Sequence, residues 1–113
     1  DPSSLARRIR TDLLRQAPAQ WPALEHLAQT LCLSASTLRR RLAEEGQTYQ
    51  GLKDSVRREL ATTWLVGAEP AMGEIAERLG FADASSFYKA FRKWFGCNPG
   101  QYRAVVQARH AGN

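Results

Sequence analysis

With 113 residues and no apolar run approaching the ~20 residues needed to cross a bilayer, the chain is expected to be one soluble domain or two very small lobes with a modest core. Sixteen Lys and Arg against eleven Asp and Glu give a formal net charge of +5, which favours a polyanionic partner but is equally the mark of a basic solubilising surface. Cys32 and Cys97 form no CxxC pattern and have no histidines at ligand spacing, so they read as buried or half-exposed thiols, with no metal site, disulfide or cofactor motif.

The opening Asp1-Pro-Ser-Ser4 carries no initiator methionine, signal peptide or targeting motif. It reads as an excised linker, so the chain is expected to be the end of a longer protein. Over residues 5 to 16, Leu5, Ile9 and Leu13 share one helical face among Arg7, Arg8, Arg10 and Arg15, which predicts a packing helix stopped by Ala17-Pro18 with its arginines in solvent. Leu24, Leu27, Ala28 and Leu31 then form an apolar stripe, and Ser34 is placed to cap a further helix running through Leu38 and Leu42 to Gly46. Glycine suits the left-handed position just past a helix end. Two short helices joined by a tight turn describe a helix-turn-helix. His26 stands alone on its helix and is read as a surface residue.

Leu52, Val56, Leu60 and Trp64 recur at steps of four before Gly67 and Pro70, which predicts one connecting helix over residues 52–66. Beyond it, Ile75, Ala76 and Leu79 mark a short helix and Gly80 a sharp turn. Asp83 is a cap for a helix carrying Phe87, Phe91, Trp94 and Phe95, whose aromatic side chains are expected in the core. Asn98-Pro99-Gly-Gln101 opens a last helix as a capping box with proline at its first position, and Ala111-Gly-Asn113 is expected to fray.

The second arrangement repeats the first. Leu27-Ala28-x-x-Leu31 precedes Ile75-Ala76-x-x-Leu79 by 48 residues, Leu38 and Leu42 precede Phe87 and Phe91 by 49, and Gly46, Thr48, Leu52 and Lys53 precede Gly96, Asn98, Tyr102 and Arg103 by 50. Apolar positions could coincide in any two amphipathic helices, but the turn, the closing glycine and the cap two residues later could not, so the unit is duplicated. The fold class is all-α, about seven helices, in two tandem helix-turn-helix subdomains: residues 1–51 and 67–113, joined by the connecting helix.

With Leu38 and Leu42 inward, the 100° rotation per residue turns Ser36, Arg39, Arg40 and Ala43 outward. The triple Arg39-Arg40-Arg41 then builds a patch of one sign, with Glu44 and Glu45 deferred to the helix end. A guanidinium can donate two hydrogen bonds to guanine O6 and N7, which makes Arg39 and Arg40 base-reading candidates and leaves Arg41 for phosphate. In the second copy Ala84, Ser85, Tyr88, Lys89 and Arg92 face outward or flank. Ser85, Ser86 and Lys89 are the base-reading candidates there, and Arg92 and Lys93, with Lys53 and Arg103, suit phosphates.

The pattern Ile75-Ala-x-x-Leu-Gly-Phe-x-Asp-x-Ser-x-Phe-x-x-x-Phe-Arg-Lys-x-x-Gly-x-x-Pro-x-x-Tyr-Arg103 closely resembles the C-terminal DNA-binding domain of the AraC/XylS family of bacterial transcription regulators, and the first copy is similar to that family's more variable first helix-turn-helix. The resemblance covers roughly residues 5 to 105. It implies that one protomer inserts two recognition helices, about residues 35–45 and 84–95, into adjacent major grooves of an asymmetric site on double-stranded DNA, with base contacts from Ser36, Arg39, Arg40, Ser85, Ser86 and Lys89. It also implies RNA polymerase as a further partner, a cytoplasmic location and an N-terminal effector or dimerisation domain beyond this chain. The chain departs from the repeat by Cys32 in place of Gly80 and Tyr49 in place of Pro99, which leaves the geometry of the first turn open.

An enzyme is not supported: no Ser/His/Asp or Cys/His arrangement can be paired on this layout, and no glycine-rich phosphate loop follows a strand. A helical protein-interaction module whose arginines meet an acidic partner is the competing class.

Overall fold

A computed structural model describes residues 4–67 and 70–111. The predicted linker residues Asp1 to Ser3 and the last two residues of the predicted frayed tail lie outside these. The chain divides into two compact units, Asp1–Val56 and Arg57–Asn113. Among the described residues there are seven α-helices and no strand: α1 Leu5–Leu14, α2 Leu24–Thr30, α3 Ala35–Glu44, α4 Tyr49–Leu65, α5 Met72–Arg78, α6 Ala84–Phe95 and α7 Pro99–Ala111, with a 3-10 turn at Pro18–Gln20. This is the all-α, doubled helix-turn-helix arrangement that the repeat predicts. No described helix is long and apolar enough to cross a membrane.

In the first unit α1 begins where the Ser4 side chain accepts the Arg7 amide. Its first turn is also held from outside: the Glu45 carboxylate accepts the Leu5 and Ala6 amides at 3.1 and 3.2 Å and the Ser4 hydroxyl. One carboxylate thus satisfies amides that a helix start leaves without intrahelical partners. The hydroxyl bond is the largest cause that lowers the Glu45 pKa; desolvation opposes it, and the backbone bonds from Ala6 and Leu5 add smaller contributions in the lowering direction. Ile9 and Leu13 of α1, Leu27 and Ala28 of α2, Leu38 and Leu42 of α3, and Tyr49, Leu52 and Val56 of α4 are buried. The buried Tyr49 keeps its hydroxyl satisfied by donating to the Pro22 carbonyl at 2.7 Å, and the Trp21 indole donates to the Leu13 carbonyl at 3.0 Å. Helix α1 ends at Leu14, short of the predicted residue 16; Ala17, whose helical geometry the Pro18 ring disfavours, is extended.

In the second unit Phe87 and Phe91 are wholly buried with Ile75, Ala76, Leu79, Ala61 and Leu65, and Trp94, Phe81, Met72 and Tyr102 pack around them. Phe91 meets Tyr102 edge to face at 5.5 Å between ring centroids. Two predictions are corrected here. Phe95 is 38% exposed, lying against Phe91 and Tyr102 at the margin of the core. On α4 the residues at the centre of this unit are Ala61 and Leu65, while Leu60 and Trp64 are half-buried at its edge. A step of four residues overshoots the 3.6-residue turn by about 40°, so a stripe of fours drifts off the core within two turns.

The two turns close alike. Leu33 N–H donates to the Ala28 carbonyl at 2.8 Å and Phe81 N–H to the Ala76 carbonyl at 3.0 Å, with Cys32 N–H to Gln29 and Gly80 N–H to Glu77 at 3.0 Å each. Both central residues are left-handed, at φ +59° for Cys32 and +84° for Gly80. The cysteine therefore leaves the turn geometry intact but adopts a conformation that side chains resist. Its thiol is exposed and that of Cys97 half-buried, which corrects the prediction of shelter for Cys32.

Candidate nucleic-acid interface

Helix α3 starts where the Ser34 hydroxyl accepts the Thr37 amide at 3.1 Å, and α6 where the Asp83 carboxylate accepts the Ser86 amide at 2.8 Å. These caps fix which residues begin each helix, and hence which way each face points. On α3, Leu38 and Leu42 are buried and Ser36, Arg39, Arg40 and Ala43 are all exposed, forming one stripe at three- and four-residue spacing. On α6, Phe87 and Phe91 are buried and Ala84, Ser85, Tyr88, Lys89 and Arg92 line a depression of about 340 Å³ on the opposite side.

The repeat superposes these faces. At an offset of 49, Ser36, Arg39, Arg40 and Ala43 correspond to Ser85, Tyr88, Lys89 and Arg92. Three residues of α6 are placed with respect to this face as follows. Tyr88, 37% exposed, stands in the centre of the second face, a place that the offset from Arg39 already assigned to it. Arg92 shares that face with Ser85 and Lys89. Ser86 lies outside the depression, about 100° around the helix from Ser85, and it is occupied: its amide and then its hydroxyl bond the Asp83 carboxylate and lower that group's pKa, with Lys89 adding a smaller attraction.

Beside the first face is a cavity of about 590 Å³ whose lining includes Arg39, Ala43, Thr48, Tyr49 and Lys53. Lys53 lines this cavity with Arg39, and its ammonium lies 4.7 Å from the centre of the Tyr49 ring. Arg41 is exposed on the flank of α3 opposite Arg39, and Lys93 is exposed on α6. The predicted arginine patch is not of one sign. Arg40 Nη1 donates to Glu44 Oε2 at 3.0 Å, and Arg39 Nη2 lies 3.6 Å from Glu25 Oε1, reaching from α3 to α2.

Arg103 is placed differently from the other cations. It is half-buried, and its guanidinium donates to the carbonyls of Pro70 at 2.8 Å, Trp64 at 3.2 Å and Leu65 at 3.4 Å. It closes the end of α4, where carbonyls lack helical partners. Its guanidinium is engaged with these carbonyls, whereas the sequence suggests a phosphate contact for it.

Comparison with known proteins agrees with this geometry. A helix-turn-helix domain family model matches residues 27–104. The ornithine utilization regulator of Pseudomonas aeruginosa is 44% identical over 99 residues, which is 88% of this chain and 29% of that protein. The crystal structure of the transcriptional regulator CdpR from Pseudomonas aeruginosa superposes with a TM-score of 0.80 at 39% identity, over 88% of this chain and 31% of that one. The DNA-binding domain of AdpA, a global transcriptional factor crystallised with a target DNA, superposes with a TM-score of 0.81 at 26% identity, over 98% of this chain and all of that one. The chain spans about a third of the length of the curated relatives that it matches.

Proposed function

This chain belongs to the helix-turn-helix family of AraC/XylS-type transcription regulators and carries its DNA-binding domain, and we propose that it recognises one asymmetric duplex site by placing α3 and α6 in adjacent major grooves. The observation that carries this reading is the pair of exposed faces at equivalent positions of a duplicated unit, each on a helix of 10 or 12 residues with its start capped and each bearing cations and small hydroxyl residues. Ser36, Arg39 and Arg40 read bases in one groove. Ser85, Tyr88 and Lys89 do so in the other, with Ser86 beside Lys89. Arg41, Lys53, Arg92 and Lys93 neutralise phosphates.

The whole protein works in the bacterial cytoplasm as a regulator rather than an enzyme, its N-terminal part supplying the effector or dimerisation function and its DNA-bound state acting on RNA polymerase. The length of the relatives beyond the matched domain supports this division.

Four phosphate contacts, at about 0.9 each, give a slope of log K against log[salt] near −3.6 for binding to duplex DNA. Fluorescence anisotropy of a labelled duplex across a salt titration measures it. An affinity that did not change with salt would exclude the reading and favour the protein-interaction module.

A further inference from the structure

The repeat supplies a control for the ion pairs on the first face. Arg40 is paired with Glu44 at 3.0 Å and Arg39 with Glu25 at 3.6 Å, all four side chains being exposed. Carrying Glu25 forward by 48 residues gives Gly73, and carrying Glu44 forward by 49 gives Lys93. Where the second face has Lys89 in place of Arg40, the residue four positions on is therefore a second cation, and no acid stands in for Glu25. The acidic group that does lie near that face, Asp83, is bonded to the Ser86 amide and hydroxyl. On the first face Arg39 and Arg40 thus each have an acid partner, whereas the residues that correspond to Glu25 and Glu44 in the second unit, Gly73 and Lys93, offer none to Tyr88 and Lys89.

Exposed pairs of this kind hold a fold together only weakly, so their contribution is to be sought in recognition. A phosphate offers an arginine nothing that a carboxylate does not already supply, and it is repelled by that carboxylate. A guanine edge offers two acceptors in the plane of the guanidinium without a full negative charge. We propose that Glu25 and Glu44 are specificity-determining residues: they hold Arg39 and Arg40 away from phosphates, suppress the binding of these two arginines to random DNA, and leave sequence-independent attraction to Arg41, Lys53, Arg92 and Lys93. Neither glutamate touches a base. Each acts through its arginine, as a positioning residue.

This inference rests on the base-reading role given to the arginines, and the experiment separates the two. The probes are a duplex selected from a random pool by the unaltered chain and a random-sequence duplex of the same length, each titrated at several salt concentrations. Glu44→Gln and Glu25→Gln keep size and polarity and remove the charge. Each is expected to release one arginine to a phosphate on random DNA, steepening the salt slope by about 0.9 and raising affinity at 0.1 M salt roughly eightfold relative to the 1 M reference. Affinity for the selected site changes less, so discrimination falls. Glu77→Gln, which removes a charge from an exposed position of α5, should leave the discrimination ratio unchanged. An equal effect from Glu77→Gln would reduce the result to net charge and overturn the inference. So would unchanged random binding by Glu44→Gln, or a loss confined to the selected site, which would make Glu44 a direct reader. Arg40→Ala completes the set: if it left discrimination intact, the base-reading role itself would fail. If it abolished discrimination while the two glutamine variants behaved as the unaltered chain, only the inference about the acids would fall.

Discussion

Arg103→Met separates a fold-stabilising cation from a DNA-binding one. The side chain is half-buried and donates to Pro70 and Trp64 carbonyls at 2.8 and 3.2 Å, with a third, marginal bond to Leu65 at 3.4 Å. A hydrogen bond from a charged donor contributes about 1.5–3 kcal/mol when buried. Two good bonds at a half-buried site, discounted for water that can replace part of them, give ~2–3 kcal/mol for the loss. Methionine keeps most of the aliphatic volume, so little of that figure is packing. Lysine at the same position retains the charge but presents a single ammonium in place of a fork, and should restore about half. Urea unfolding followed by circular dichroism measures the stabilities, and anisotropy on a duplex well below the unfolding midpoint measures binding. The reasoning is refuted if Arg103→Met unfolds at the unaltered midpoint while its DNA affinity drops and its salt slope shallows by about 0.9, the signature of a lost phosphate contact.

Cys32→Gly should stabilise the chain by up to ~1.5 kcal/mol, since relief of a left-handed side chain worth ~1–2 kcal/mol is offset in part by the ~0.5–1 kcal/mol that glycine's freedom adds to the unfolded state; a lower urea midpoint would contradict it. Glu45 and Asp83 both have folded pKa values below the ordinary 4.5 and 3.8, so their contributions are complete above those values and are lost as pH falls past them, and Glu45→Gln or Asp83→Asn should flatten the acid limb of a stability–pH curve. Leu60→Pro, in the middle of α4, should cost ~3 kcal/mol or more of helix stability and abolish high-affinity binding to a selected site, without altering any proposed reading residue. Retention of that affinity would show that an unbroken α4 is dispensable for recognition.

Helix starts were the most legible part of the fold, because a cap is a local bargain between a side chain and an amide three residues on. Ser34, Asp83 and the reciprocal Asn98–Gln101 pair, bonded at 2.8 and 3.1 Å, each stand where the sequence places them. The repeat was legible for the same reason, since turns and caps are spelled by few residue types. What escaped was set by positions in space. The drift of α4 from Leu60 and Trp64 to Ala61 and Leu65 follows from helical pitch accumulating over several turns. The destination of Arg103 depends on carbonyls at the end of a helix far away in the chain, and the pairing of Arg39 with Glu25 on two helices meeting side by side; neither has a signature in local spacing. Tyr88 did have one, in its alignment with Arg39, and a stricter use of the repeat would have found it.

Lys53 and Arg103 occupy equivalent positions of the two copies, and their fates explain why counting cations misjudges a DNA-binding surface. One lines a cavity with Arg39; the other is drawn onto carbonyls that close its own unit. The difference lies in what each side chain meets. In the cores, the first unit has Leu42 where the second has Phe91, which packs with Phe95 and Tyr102. In both units the buried residues and the outward stripe of the recognition helix share no member. A substitution on the stripe therefore leaves the buried side chains in place, and surface changes of this kind usually shift stability by less than ~0.5 kcal/mol, Tyr88 excepted, whose ring lies 6.0 Å from that of Phe87. The duplicated unit could in this way keep its turns, caps and glycines while its two faces diverged, one to arginines paired with acids and the other to tyrosine, lysine and serine. The asymmetric DNA site proposed above is what such divergence would produce, and a site selected from a random pool as an inverted repeat would contradict it.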